Sequence, residues 1–567
     1  MFIKRNKTAL AGKGYQSVLL VQGRREQAKR APGRPAAGAP PPKTVVIHET
    51  LANLSKLPSD LVALIEAYCK KKPQPVADSP AGGQAPVKIH LGPCYGVLAV
   101  LDALAREMGL VKAVGEASRL QRLALFMIYA RLVHQGSRLS AARWSEDHAV
   151  REILQLSSFD EDDLYAALEE LESRQAEIEG ALTPRAELLK GRAMYLYDVT
   201  SVYFEGVKNE LAAFGYNRDG KAGKKQLVAG LLTDGQGEPV SIQLYPGNTS
   251  DPPTFLDAVQ KLKVRFGAQE VALVGDRGMI KRLGKEALGE ARFSYVTALT
   301  DPQIRSLLSR KVLQLELFEE TPAEVELEGK RYVMRCNPKT QKRQRERRAD
   351  QSARVQARIN ARNEEVERKP RADPQSSLKQ AEALLKKYRL TSWVKVELDG
   401  RKVVWREDEE QRRKEGELDG CYVIESDLPG DVASAQQLHD RYLDLTQVER
   451  NFRTLKTGLL EVRPVFLRKE GRTRGHALVC MLALKLAREL ERRLSPLGLT
   501  VQDGLERLAA VRLVRLGDDD LNLWRLPTSY PKAQSEVLEA LPKFKAPLLS
   551  LGKPNKRRLK RIRKPLN

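Results

Sequence analysis

The chain has 567 residues and a formal net charge of +24. At about 100–200 residues per domain this length allows roughly three or four domains. With 42% hydrophobic and 30% charged residues, the chain is neither a mini-protein that needs covalent staples nor disordered throughout. A positive excess of this size concerns partners more than fold, and it makes a polyanion the first candidate.

The excess is unevenly placed. Residues 1–43 carry +9, residues 339–371 carry +7 and residues 553–567 carry +8, so the remainder is neutral. The five cysteines show no C-x-x-C spacing, which argues against a disulfide framework and a cysteine-based zinc site. No run approaches the ~18 apolar residues of a membrane helix, no signal-peptide core stands at the N-terminus, and no G-x-x-x-x-G-K-[ST] motif is present. A cytoplasmic protein with no membrane partner is expected.

In chain order, 13–23 reads as a strand within a basic N-terminal arm. Residues 31–43 are a Pro/Ala/Gly-rich linker, and a second linker covers 72–87. The piece 44–87 is assigned a short helical segment together with this second linker. Residues 94–182 repeat apolar side chains at three-to-four spacing, so a helical domain is expected over 88–185. The pattern then changes: 194–204, 225–234 and 239–248 read as strands, the last two separated by Asp234-Gly235-Gln236-Gly237. A helix over 253–266 leads to apolar strands at 270–276 and 293–299.

Residues 301–430 interrupt this rhythm with the basic segment and strand-like stretches at 392–398, 402–407 and 420–426. A long helix is expected from 434 to 457 and another over 475–493. The tail after 553 has no periodicity. A mixed sheet interrupted by a β-rich insertion accounts for the order better than alternating βα units. The expected pieces are a catalytic core over 186–300 and 431–495, the insertion over 301–430 and a C-terminal region over 496–567.

Two acids stand at the carboxyl ends of apolar strands, Asp198 and Asp276. A carboxylate there is costly to bury unless it is paired, hydrogen-bonded or metal-bound. On the helix from 434, Leu438, Leu445, Val448, Phe452 and Leu455 form a core stripe, while Tyr442, Glu449 and Lys456, seven apart, share an adjacent face. Three converging carboxylates suit hard divalent cations, and two such ions can hold the attacking and leaving oxygens of a phosphodiester. A basic protein with that site points to phosphoryl transfer on nucleic acid.

At these residues the chain resembles bacterial insertion-sequence DDE transposases of the group with a Y-R-E-K signature and a β-rich insertion in a ribonuclease-H-like fold. The motifs are Y-D-V-T-S at 197–201, V-G-D-R-G-M at 274–279, and Tyr442, Glu449 and Lys456 on the signature spacing; 214–251 and 463–487 resemble the flanking segments. Two positions depart from the pattern. Leu445 stands where the signature has Arg, so that function is either absent or supplied by Arg441, Arg450 or Arg453, and Lys281 stands where the family has an aromatic.

The resemblance implies an α/β fold: a ribonuclease-H-like mixed sheet flanked by helices, interrupted by a β-rich insertion and preceded by a helical domain and a small basic N-terminal region. It implies that Asp198, Asp276 and Glu449 bind two Mg²⁺, with Mn²⁺ able to substitute, and that Tyr442, Lys456, Arg277 and Arg453 contact DNA. The implied chemistry is cleavage at transposon ends followed by strand transfer into target DNA. The implied partners are double-stranded terminal inverted repeats, target DNA and a second copy in a synaptic homodimer, and the implied place is the bacterial cytoplasm, at the nucleoid when bound. The alternatives are an inactive or domesticated DNA-binding derivative and a metal nuclease without strand transfer. Arg218, with Asn217 and Asp219, is placed at the site rim or in a turn; Trp393 and Trp405 are assigned to the insertion's core or to base stacking; His476 is assigned to packing.

Overall fold

A computed structural model gives the chain's fold. It describes residues 2–10, 13–27, 44–55, 62, 66, 69, 89–183, 193–516 except 207, 217, 219, 222, 458 and 464–466, and 523–550 except 525, 528, 529 and 544–548. Both linkers, the basic tail after 553, Asn217 and Asp219 lie outside these residues. The chain divides into two units, Met1–Val87 and Lys88–Asn567.

The first unit holds a three-stranded antiparallel sheet of β1 (Phe2–Leu10), β2 (Lys13–Gln27) and β3 (Thr44–Asn53). β3 occupies the start of the 44–87 segment, and Val62, Glu66 and Cys69 within it are helical. Thr44–Ile47 and Thr50 are mostly β-branched, a composition that suits a pleated surface better than a helix. The N-terminal arm is therefore sheet over much of its length.

The second unit opens with β4 (Ile89–Cys94) and a helical layer. This contains α1 (Gly96–Glu107), α2 (Arg119–Val133), α3 (Glu161–Ser173) and α4 (Gln175–Leu182). Ser118 and Asp160 open α2 and α3 with complete capping boxes, satisfying backbone N–H groups that the first turn leaves free. Leu123 to Leu132 of α2 are buried almost without a break, so this helix runs through the core rather than over it.

The central sheet follows: β5 (Met194–Tyr203), β6 (Gln226–Asp234), β7 (Pro239–Pro246), α5 (Asp251–Gln260), β8 (Ala272–Gly275), α6 (Arg282–Ala291) and β9 (Ser294–Ala298). These strands lie in the order β9-β8-β5-β6-β7. β5–β6–β7 is an antiparallel meander, and β8 and β9 run parallel to β5. A meander continued by parallel strands is the ribonuclease-H-like arrangement. One face packs α5 and α6 around Phe255, Leu262, Tyr197 and Leu273. The other shares a single large core with the helical layer.

The 301–430 segment departs from a β-rich insertion. It contains α7 (Asp301–Ser309), β10 (Ala323–Leu327), β11 (Lys330–Cys336), α8 (Pro338–Arg368), α9 (Pro374–Tyr388), β12 (Val394–Asp399), β13 (Lys402–Glu407) and β14 (Cys421–Ser426). β10, β11 and β14 are part of the central sheet, which has eight strands in the order β10-β11-β14-β9-β8-β5-β6-β7. The basic segment is the 31-residue helix α8, which buries Ser352, Val355, Ile359 and Val366. Its apolar stripe is too thin to stand out among so many charges, so periodicity alone leaves it unread.

The helix from 434 is two helices, α10 (Ala435–Leu443) and α11 (Leu445–Lys456), meeting at Asp444. The 25-residue α12 (Glu470–Leu494) follows, buried along most of its length. Gly475 sits where α12 meets α3: a Cβ there would stand 2.2 Å from the carbonyl oxygen of Leu168. β15 (Arg512–Leu516) pairs antiparallel with β4, returning the chain to the start of the unit. Among the described residues no helix is long and apolar enough to cross a membrane.

Candidate active site

The register of two strands decides the position of the first two acids. β5 and β8 run parallel with Tyr197 opposite Gly275. Asp198 and Asp276 are the next residues on each, so they emerge side by side from neighbouring strands about 4.8 Å apart. Alternation along β5 sends Tyr195, Tyr197 and Val199 into the α5–α6 face and Leu196 and Val202 into the opposite core. Asp198 shares the face of Leu196 and Val202.

That is the face α11 covers. Val448, Phe452 and Leu455 of α11 enter the same core as Leu196 and Val202, and Glu449 lies one residue beyond Val448 on the exposed flank. Leu445 is half-buried and packs on this core, so the residue at the signature's Arg position is a packing group. Arg441 does not take the missing guanidinium's place at the acids: its Nη1 reaches the carbonyl of Gly235 at 3.4 Å and Asp444 at 3.3 Å.

The three acids feel one another. Burial raises the Asp198 carboxyl from 3.8 to about 7, and the charges of Asp276 and Glu449 push the same way, opposed by the Val199 N–H and by Arg218. Asp198 Oδ1 accepts from Val199 N at 2.7 Å, and Asp276 Oδ1 accepts from Arg277 N at 2.7 Å. Tyr442 donates its hydroxyl to Asp276 Oδ1 at 3.4 Å, and burial and then Asp276 push that phenol up. Among the described residues no group of three His, Cys, Asp or Glu side chains stands close enough to grip one ion. The acids share an electrostatic field, with Asp198 and Asp276 each turned to the next backbone N–H. The donor set nevertheless suits a hard divalent cation, because it is all carboxylate oxygen.

The other expected residues divide. Arg277 and Arg453 are exposed, and Arg277 stands 3.8 Å from Asp301. Lys456 is half-buried at the end of α11. Arg218 is held at the rim by Asp251, with its N–H on Ser201 Oγ at 3.1 Å. Trp393 is core: it is 3% exposed, packs with Val355, Leu385 and Leu390, and carries Arg412 over its ring.

One group of positioning residues escapes a reading based on charge. Asn451, buried in mid-helix, donates to the carbonyl of Gly237 at 2.8 Å and accepts from Arg488 at 3.0 Å. Arg488 also reaches Glu238 at 2.7 Å and the carbonyl of Gln236 at 3.0 Å. The β6–β7 turn thus locks α11 and α12 against the sheet and sets the height of Glu449. Gly237 has φ of +76°, and a Cβ there would meet Gln447 Oε1 at 2.3 Å. The signal available in the sequence is an Asn placed between Val448 and Phe452 on a stripe that is otherwise apolar.

A family model described as the transposase DDE domain matches residues 190–486. The chain belongs to this family. The matched span runs from just before β5 into α12 and contains the two aspartates, Glu449 and the turn that positions it. No curated protein matches the chain. Among solved structures it is similar to the cryo-EM structure of a piggyBac transposase synaptic complex with hairpin DNA, at 10% identity and a TM-score of 0.34, over 73% of this chain and 76% of that one.

Proposed function

We propose that this DDE-domain protein cuts DNA at transposon ends and joins the freed 3′-hydroxyl to target DNA, with Asp198, Asp276 and Glu449 as the catalytic carboxylates. The observation that carries the reading is the presence of all three acids on one face of the sheet. Strand register sets Asp198 beside Asp276, and α11 brings Glu449 to the same face, where both neighbours raise the proton affinity of Asp198. Two Mg²⁺ bound by these acids would polarise the phosphodiester and activate water or a 3′-hydroxyl.

The chain's own groups do the rest. Tyr442, hydrogen-bonded to Asp276, orients that carboxylate and borders the DNA path. Lys456, Arg453 and Arg277 present cations to backbone phosphates around the acids. Exchange of one phosphodiester for another needs no nucleotide hydrolysis, in keeping with a sequence that has no P-loop motif. Inverted repeats, target duplex and a second copy in a synaptic dimer are the partners this chemistry requires.

The test is cleavage of a supercoiled plasmid carrying the element's ends, with Mg²⁺ or Mn²⁺. Asp276→Asn and Glu449→Gln should each lower cleavage by about 10²–10³-fold or more and leave duplex binding intact. Cleavage that persists in either variant removes that residue from the catalytic set. Cleavage without joined products reduces the activity to that of a nuclease.

A further inference from the structure

Away from the three carboxylates, a cavity of about 160 Å³ opens where the helical layer meets the segment after α11. That is roughly five water volumes. Arg131 near the end of α2, Arg138, Glu461, Arg463 and His476 of α12 line it. Arg131 and Arg138 are 5% and 6% exposed. Buried guanidiniums are ordinarily matched by carboxylates, because an unpaired buried charge is costly.

Here the match is missing. Arg138 donates to Nδ1 of His476 at 2.6 Å. Burial and the facing arginines push His476 well below its ordinary range, so the imidazole is neutral and accepts that bond. Arg131 reaches two backbone carbonyls, Gln135 at 3.2 Å and Gly136 at 3.5 Å, and its buried Nε has no partner. Glu461, an acid of the cavity, accepts from Nη2 of Arg463 at 2.6 Å and 2.8 Å and from its Nε at 3.1 Å. Three guanidiniums stand against Glu461, with Glu205 3.9 Å from Arg463, which leaves one positive charge in excess around the cavity. The guanidiniums that line it are planar N–H forks, the geometry that suits two oxygens of one anion.

We propose that this cavity binds a phosphate-type oxyanion between Arg131 and Arg138. The anion would offset the charge of the two buried guanidiniums. It would also tie α2 to Arg463 and α12, joining the helical layer to the segment that follows the Glu449 helix. The same chemistry is offered by inorganic phosphate and by a phosphate group of a bound nucleic acid.

The experiment uses the full chain in chelator-containing buffer. Inorganic phosphate is titrated by calorimetry and by thermal melting, against chloride at matched ionic strength. The wild type should bind phosphate saturably and melt higher, with sulfate behaving alike. Arg131→Met and Arg138→Met should each weaken phosphate binding about tenfold or more. Should either Met variant fail to fold, Arg131→Lys and Arg138→Lys carry the test: they keep the charge, lose the fork and should still weaken binding. Duplex DNA that abolishes the phosphate heat identifies a nucleic-acid phosphate as the occupant, and heats unchanged by DNA identify the free anion. No saturable effect beyond chloride, or undiminished phosphate affinity in the Lys variants, overturns the assignment.

Discussion

Asp198→Asn probes the carboxylate cluster through stability, without any need for the reaction. Burial, Asp276 and Glu449 raise the folded-state carboxyl from 3.8 to about 7, whereas in the unfolded chain it returns to the ordinary range. Between those values the folded protein holds a proton that the unfolded chain has lost. The stabilisation is therefore complete below about pH 4 and disappears as pH rises through about 7. The interval corresponds to a ceiling of about 4 kcal/mol, which for a body of several hundred residues is a melting-temperature change of roughly 4 °C. Asn matches the shape of the protonated acid and cannot ionise. In chelator, wild type and Asp198→Asn should melt together below about pH 4, and the variant should gain up to that ceiling by pH 8. Adding Mg²⁺ at pH 8 should raise the wild type and leave the variant unmoved. A difference between the two proteins that stays constant across this pH range refutes the electrostatic account. A Mg²⁺ response equal in both refutes the assignment of Asp198 as a ligand.

Three further outcomes follow from the same contacts. Arg331, 4% exposed, pairs with Glu324 and donates to the carbonyls of Leu428, Pro429 and Ala433 just before α10; Arg331→Met should cost about 3 kcal/mol, read by denaturant unfolding. Asn451→Ala leaves the Gly237 carbonyl and one Arg488 donor without a partner, so it should cost about 1–3 kcal/mol and lower the cleavage rate more than DNA affinity, checked by comparing turnover with a binding titration. Replacing 338–419 by a short turn should leave the central sheet folded and the acids in place, read as retained near-UV circular dichroism and a retained pH-dependent Asp198→Asn difference.

How much of this was legible depends on the range of the forces involved. Strands carrying Asp198 and Asp276 announce themselves through runs such as Tyr195–Val199 and Val271–Gly275, whose burial is set by their own side chains. Val448, Phe452 and Leu455 likewise mark the inward face of α11 from spacing alone. The break at Asp444 was not visible, because Leu438 and Leu445 continue the apolar stripe across it. Nor was the pairing of β10 and β11 read. Its hairpin turns at Glu328 and Gly329, both with positive φ (+52° and +70°), the geometry that matches the twist of adjoining strands. An Glu-Gly pair flanked by charged residues gives a weaker signal than Asn-Gly between apolar runs. Arg331 and Asn451 act through backbone carbonyls far along the chain, and no local pattern encodes such partners.

The insertion shows how the third acid reaches the other two. β11 and β14 are antiparallel partners with Cys336 opposite Cys421, and Asn337 N donates to the carbonyl of Gly420 at 2.8 Å. The chain therefore leaves for α8 and returns from β13 at one point on the sheet. Between departure and return lies a small core of its own around Ile359, Leu385 and Trp393. The return strand β14 then pairs antiparallel with β9, and Arg331 holds the loop after it. Only by entering the sheet there does the chain arrive at α10 beside β8 and β9, with α11 laid over β5. Glu449 thus owes its place to a strand order that extends the sheet before the helix begins, while the charged helix α8 lies outside that path. The neutral balance of the sheet-bearing body and the basic excess of α8 are two results of the same division: the sheet buries apolar faces and leaves Asp276 and Glu449 exposed, and the cations stand on a helix that the sheet's register does not depend on.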